Sequence, residues 1–117
     1  MLKKENRLTK RKYFNYIYKK GQVCFSRNFI INYYKSKALN PRFGFSVSKK
    51  IGKAVVRNLV KRRLRAIIQL NLKNIKPYNN YIITCKSGIE KLSYLELKNE
   101  VETCFIKNRL FEENYNE

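Results

Sequence analysis

The chain has 117 residues, 44% hydrophobic and 14% aromatic, enough for one compact domain spanning 1–117 and too few for a second core. It carries 27 Lys and Arg against 8 acids, a net charge of +19, and self-repulsion on that scale implies a polyanionic partner. With no His and no Asp, neither an imidazole base, a clustered-carboxylate centre nor a His-ligated metal is expected, and side-chain catalysis falls away with them.

In chain order, Thr9 is placed to N-cap a helix running to Lys20, with Gly21 at its C-terminal stop. Within it Tyr13, Phe14, Ile17 and Tyr18 make an aromatic stripe flanked by Lys and Arg. Residues 22–26 and 28–35 alternate as strands, with Val23 and Phe25, then Phe29, Ile31 and Tyr33, on one face. After a loop over 37–41 that stops at Pro41, Arg42 to Ser48 is the cleanest strand, Phe43, Phe45 and Val47 alternating against Arg42, Gly44, Ser46 and Ser48. A long helix follows Gly52, from Ala54 to about Leu72. Tyr81 to Cys85 is a buried strand closed by Ser87-Gly88. Ser93 with Glu96 is a capping box for a last helix burying Leu97, Val101, Cys104 and Phe105. The order αβββαβα predicts an α+β fold, a two-layer sandwich with a four-stranded sheet.

Cys24, Cys85 and Cys104 are odd in number and widely spaced, which favours buried thiols in a reducing cytoplasm over zinc or redox chemistry. No apolar run approaches the ~20 residues of a membrane span. The basic start, Met1 to Arg7, has no apolar stretch after it and does not read as a signal peptide. A cytoplasmic protein without a membrane role is expected.

The charge is uneven. Residues 1–89 hold 23 of the Lys and Arg and a single acid, Glu5, whereas 90–117 hold four and seven. On the long helix Val56, Val60, Leu64 and Ile67 share one arc, and Arg57, Asn58, Lys61, Arg62 and Arg65 the opposite one. A solvated face ordinarily mixes Glu with Lys. Here Arg57, Lys61 and Arg65 are like charges at i,i+4 with no acid on the helix, a local cost that points to phosphates as the partner. Phe14 and Tyr18, with Tyr33 or Tyr34, offer rings on which unpaired bases can stack; the same rings serve equally as core between helix and sheet.

Val47-Ser48-Lys49-Lys50-Ile51-Gly52, then Ala54-Val55, Arg57-Asn58, Lys61-Arg62 and Arg65, resembles the signature of the bacterial ribonuclease P protein subunit. Arg7-Leu8, Phe14, Gly21, Arg27 with Phe29, and Tyr81-Ile82-Ile83 extend the resemblance over nearly the whole chain. Two positions depart from it. The family's Arg-Asn-Arg triplet reads Arg57-Asn58-Leu59 here, with Arg63 one turn on as a partial substitute. The family often has an aromatic where Asn32 stands, and Tyr34, of the same parity, is placed to supply the ring.

The resemblance implies a division of labour. The RNA subunit holds Mg²⁺, with none bound by the protein alone, and hydrolyses the phosphodiester at the 5′ end of mature tRNA. The protein, one per RNA and with no obligate protein partner, docks on that RNA through Lys49, Lys50, Lys53, Arg57, Asn58, Lys61, Arg62 and Arg65. It grips the leader of precursor tRNA through Phe14, Tyr18, Tyr34, Ser46 and Arg57. The family fold also has a left-handed β-α-β crossover around the basic helix. The alternative is a ribosomal or chaperone-type RNA-binding protein without a leader site, in which the same rings are buried. A helix-turn-helix DNA binder lacks its partner helix, and a membrane-surface role would need the apolar face that the core uses.

Overall fold

The computed structural model describes residues 2–112. Helix α1 spans Arg11–Lys20, strands β1, β2 and β3 span Gln22–Phe25, Phe29–Lys35 and Arg42–Ser46, α2 spans Ala54–Asn71, β4 spans Asn79–Cys85 and α3 spans Tyr94–Lys107. The expected order αβββαβα is the order found. The sheet runs β1-β2-β4-β3, antiparallel except for the β3–β4 pair, which α2 connects. The N-terminal segment runs along the outside of β3, with Leu8 N–H donating to Phe43 O at 2.9 Å.

Both faces of the sheet are covered, unequally. Phe29, Ile31, Phe43, Tyr81 and Ile83 project to one side and pack with Val60, Leu64 and Ile67 of α2 and Leu97, Val101 and Phe105 of α3. This is the sandwich read from the sequence. On the other side α1 rests on β2 and β4 and closes a small second core of Leu8, Ile17 and Ile82, with Tyr13, Phe14 and Tyr34 at its margin. Ser93 Oγ accepts from Glu96 N–H and the Glu96 carboxylate accepts from Ser93 N–H, so the predicted capping box starts α3.

Several local expectations are corrected. Lys10, not Thr9, precedes α1, and no side chain caps it. Gly21 is extended rather than left-handed (φ −80°, ψ 170°); a side chain is barred because a Cβ would lie 2.5 Å from Ile17 O and 2.6 Å from Tyr33 O. β3 ends at Ser46, and β4 begins two residues early because Asn79 and Asn80 pair with Lys35 and Tyr34. On β1 the inward residue is Cys24, facing Ile31, whereas Val23 and Phe25 point out, 45% and 70% exposed. Alternation tells which residues share a face; it does not tell which face of an edge strand is inside.

Candidate nucleic-acid interface

The cationic part of the site begins at the turn Lys49–Ile51. Ile51 is buried beneath it, and Lys49, Lys50 and Lys53 stand exposed. Gly52 sits at φ 153°, ψ −169°, backbone that essentially only glycine adopts, and links the turn to α2. Along α2 the buried row is Val60, Leu64, Ile67, Ile68 and Asn71.

The basic arc divides in two. Arg57, Lys61 and Arg65 run half-buried along one flank, about 6 Å apart per step. Asn58 and Arg62 stand exposed outside them. Arg57 Nε–H donates to Gly52 O at 3.1 Å, which fixes its guanidinium beside the turn. No carboxylate neutralises this row: the ion pair between Lys98 and Glu102 on α3 is the one found among the described residues.

Arg63 is engaged elsewhere. Its Nη1–H donates to Leu92 O at 2.8 Å, on the α3 side, so it does not stand in for an arginine at 59. The flank carrying Leu59 is apolar: Val55 is 80% exposed, Leu59 37% and Leu70 61%. Sequence reading missed that stripe, although its 4-residue and 11-residue spacings lie on one edge of a helical wheel.

The aromatic part lies across the sheet. Phe14 lies directly on Gly44, where a Cβ would overlap its ring. Tyr18 meets Phe14 edge to face, centroids 6.5 Å apart, and its hydroxyl is 3.2 Å from Thr84 Oγ1. Phe14, Tyr18 and Ser46, joined by Thr9, Arg11 and Asn15, line an open groove of about 340 Å³. Arg11, Phe14, Asn15 and Tyr18 follow i, i+3, i+4, i+7, so helical spacing alone would have added Arg11 and Asn15 to the candidates. The tyrosine is neither fully exposed nor core: one edge is packed and one face is open.

Tyr34 is not in that groove. It faces Asn80 on β4 and lies on the other side of α1, edge to face with Tyr16 at 5.2 Å, in a separate cleft with Tyr13 and Arg42. Its parity was right, but α1 crosses the sheet between Tyr34 and Ser46.

The three cysteines are free and buried. Burial pushes the Cys85 thiol up to about 12, against a small lowering by the Lys61 charge, and the Cys104 thiol up to about 11. They are packing groups and not nucleophiles. Among the described residues no three side chains of His, Cys, Asp or Glu converge as metal ligands, and no helix is long and apolar enough to cross a membrane.

A four-stranded α+β protein with one cationic helix flank and an open aromatic groove on the opposite sheet face is the class that fold and site define. A family model described as Ribonuclease P matches residues 2–109. The ribonuclease P protein component of Finegoldia magna is 40% identical over 95 residues, covering 81% of this chain and 83% of the relative. That of Syntrophomonas wolfei is 39% identical over 118 residues, covering 99% and 98%. A solved RNase P protein of Staphylococcus aureus superposes with a TM-score of 0.86 at 30% identity, over 92% of this chain and 98% of the other. One from Thermotoga maritima, at 24% identity and TM-score 0.78 over 83% and 92%, shares the fold. This chain belongs to the ribonuclease P protein family, the protein component of the tRNA-processing ribonucleoprotein.

Proposed function

We propose that the chain docks on the catalytic RNA of ribonuclease P through the α2 flank and the 49–53 turn, and holds the unpaired 5′ leader of precursor tRNA in the groove between α1 and β3. Family membership selects this reading over a ribosomal or chaperone role. The observation that carries the leader assignment is the groove itself: Phe14 and Tyr18, edge to face, line an open groove together with Ser46. Bases stack on such rings without sequence preference, and Arg11 at the rim supplies a phosphate contact.

On this reading the hydrolysis of the phosphodiester and its Mg²⁺ belong to the RNA, and the chain, with neither His nor Asp, leaves general-base chemistry to it. The protein contributes charge neutralisation between two polyanions, one copy per RNA, and a grip that precursor tRNA has and mature tRNA lacks. It works in the cytoplasm, where its RNA partner is made.

Tyr18→Ala tests the assignment. Precursor tRNA should bind the reconstituted ribonucleoprotein more weakly by ~1–3 kcal/mol, the value of one lost stack, with mature tRNA and the thermal midpoint little changed. Equal weakening of both would mean a general RNA scaffold and not a leader site.

A further inference from the structure

Four side chains lie in register in one row across the whole sheet, on the α1 face: Phe25 of β1 opposite Ile30 of β2, Ile30 opposite Thr84 of β4, and Thr84 beside Ser46 of β3. One end of the row, Ser46 with Tyr18 over Thr84, is the groove just described. The other end is Phe25. At 70% it is the most exposed aromatic among the described residues, and it has no hydroxyl that would gain from water.

Its backbone is held firmly. The Glu100 carboxylate accepts from Ser26 Oγ at 2.6 Å, Asn28 N–H at 2.9 Å and Asn28 Nδ2–H at 2.7 Å, while Lys86 Nζ donates to Ser26 O at 2.9 Å. An exposed ring on a pinned turn is a preorganised surface, not a frayed edge. Two cations flank the turn against the single carboxylate of Glu100: Arg27 stands exposed there and Lys86 is bonded to Ser26 O. Phe25 lies diagonally from Asn32 across the β1–β2 pair, about 7 Å away and within reach of an aromatic side chain, and it also borders a cleft along α3 with Arg27, Asn99, Glu100 and Lys107.

We propose that Phe25 is a third stacking residue of the leader site, beside Phe14 and Tyr18, taking the ring role that Asn32 lacks and that Tyr34 is too far across α1 to fill. Resting on the leader reading above, this sets the occupant as unpaired RNA crossing the sheet from Tyr18 to the edge strand. Two strand spacings separate Thr84 from Phe25, about 10 Å, the rise of about three stacked nucleotides.

The chain has no tryptophan, so Phe25→Trp introduces a single indole reporter. In the reconstituted ribonucleoprotein its emission should be quenched by precursor tRNA and unaffected by mature tRNA. Phe25→Ala should weaken precursor binding about fivefold or more, leaving mature tRNA binding and the thermal midpoint unchanged. If the Phe25→Trp emission ignores precursor while Tyr18→Ala still costs affinity, Phe25 is outside the leader path and the leader reading stands. If Tyr18→Ala is also inert, the leader reading itself has failed. Quenching by mature tRNA as well would assign the ring to the tRNA body, and a change in the sedimentation of the free protein on Phe25→Ala would assign it to contact between copies. Either result overturns the proposal.

Discussion

Leu59 is where this chain leaves the family's Arg-Asn-Arg pattern, and its surroundings make the departure tolerable. It is 37% exposed on an apolar flank with Val55 and Leu70, and its neighbour on that edge, Arg63, is tied to Leu92 O. Leu59→Arg therefore removes little packing and adds one unpaired cation. RNA association of the Leu59→Arg protein should tighten, with the log–log salt slope steeper by about one counterion. Filter binding across a salt series measures both; weaker binding by a stably folded variant would show that this flank meets the RNA through apolar contact. Glu100 is the acid with the most structural work at one site. Burial alone would raise its carboxyl, but hydrogen bonds from Asn28 and Ser26 and the Arg27 charge carry it below its usual range. A carboxyl depressed by folding stabilises above its unfolded value, about 4.3, and that stabilisation is lost as pH falls through the folded value. Thermal melts of Glu100→Gln should show a loss of about 1 kcal/mol at pH 7, after discounting for solvent exposure, that shrinks as pH falls below the usual carboxylate range.

Helix α2 is the element whose two faces were most legible, because 3.6-residue periodicity and the absence of acids survive any tertiary context. Its basic row predicts additive, salt-dependent docking. Arg62→Ala removes an exposed side chain with no hydrogen bond or ion pair among the described residues, so folding should be unaffected while RNA affinity falls and the salt slope flattens by about one. Unchanged affinity and slope would remove α2 from the docking surface. The aromatic groove was only half legible. Phe14, Tyr18 and Ser46 come together as their spacing and parity suggested, yet Tyr34 does not join them, because where a helix crosses a sheet is set by contacts such as Ile17 on Ile82 and Phe14 on Gly44, and not by either element's own pattern. Strand β1 shows the same limit: four residues with two outward apolar side chains mimic an inward pair.

At the scale of the molecule, the uneven charge becomes a property of the fold. The acids are concentrated after residue 89, and α3 uses three of them internally: Glu96 in its cap, Glu100 on the β1–β2 turn and Glu102 on Asn71 and Lys98. They fasten α3 and leave the cations of α1, α2 and the 49–53 turn unneutralised. The free protein should therefore be least stable at low ionic strength. Raising salt from about 0.01 M to 0.15 M shortens the Debye length from ~30 Å to ~8 Å, and the thermal midpoint should rise by about 5 °C. A multivalent anion that binds only the folded chain should do the same at far lower concentration. A midpoint indifferent to salt would mean that the cations are too dispersed to repel.

Position 44 sets a dimension. The Phe14 ring occupies the space a side chain there would need, so the approach of α1 to the sheet is gauged by a single hydrogen atom. Ile17, which seals the small core, and Tyr18, which borders the groove, ride on the same rigid helix as Phe14. Aperture and seal thus share one gauge: a methyl group at 44 would displace the Phe14 ring, either swinging it into the groove or lifting α1 and with it the Ile17 seal.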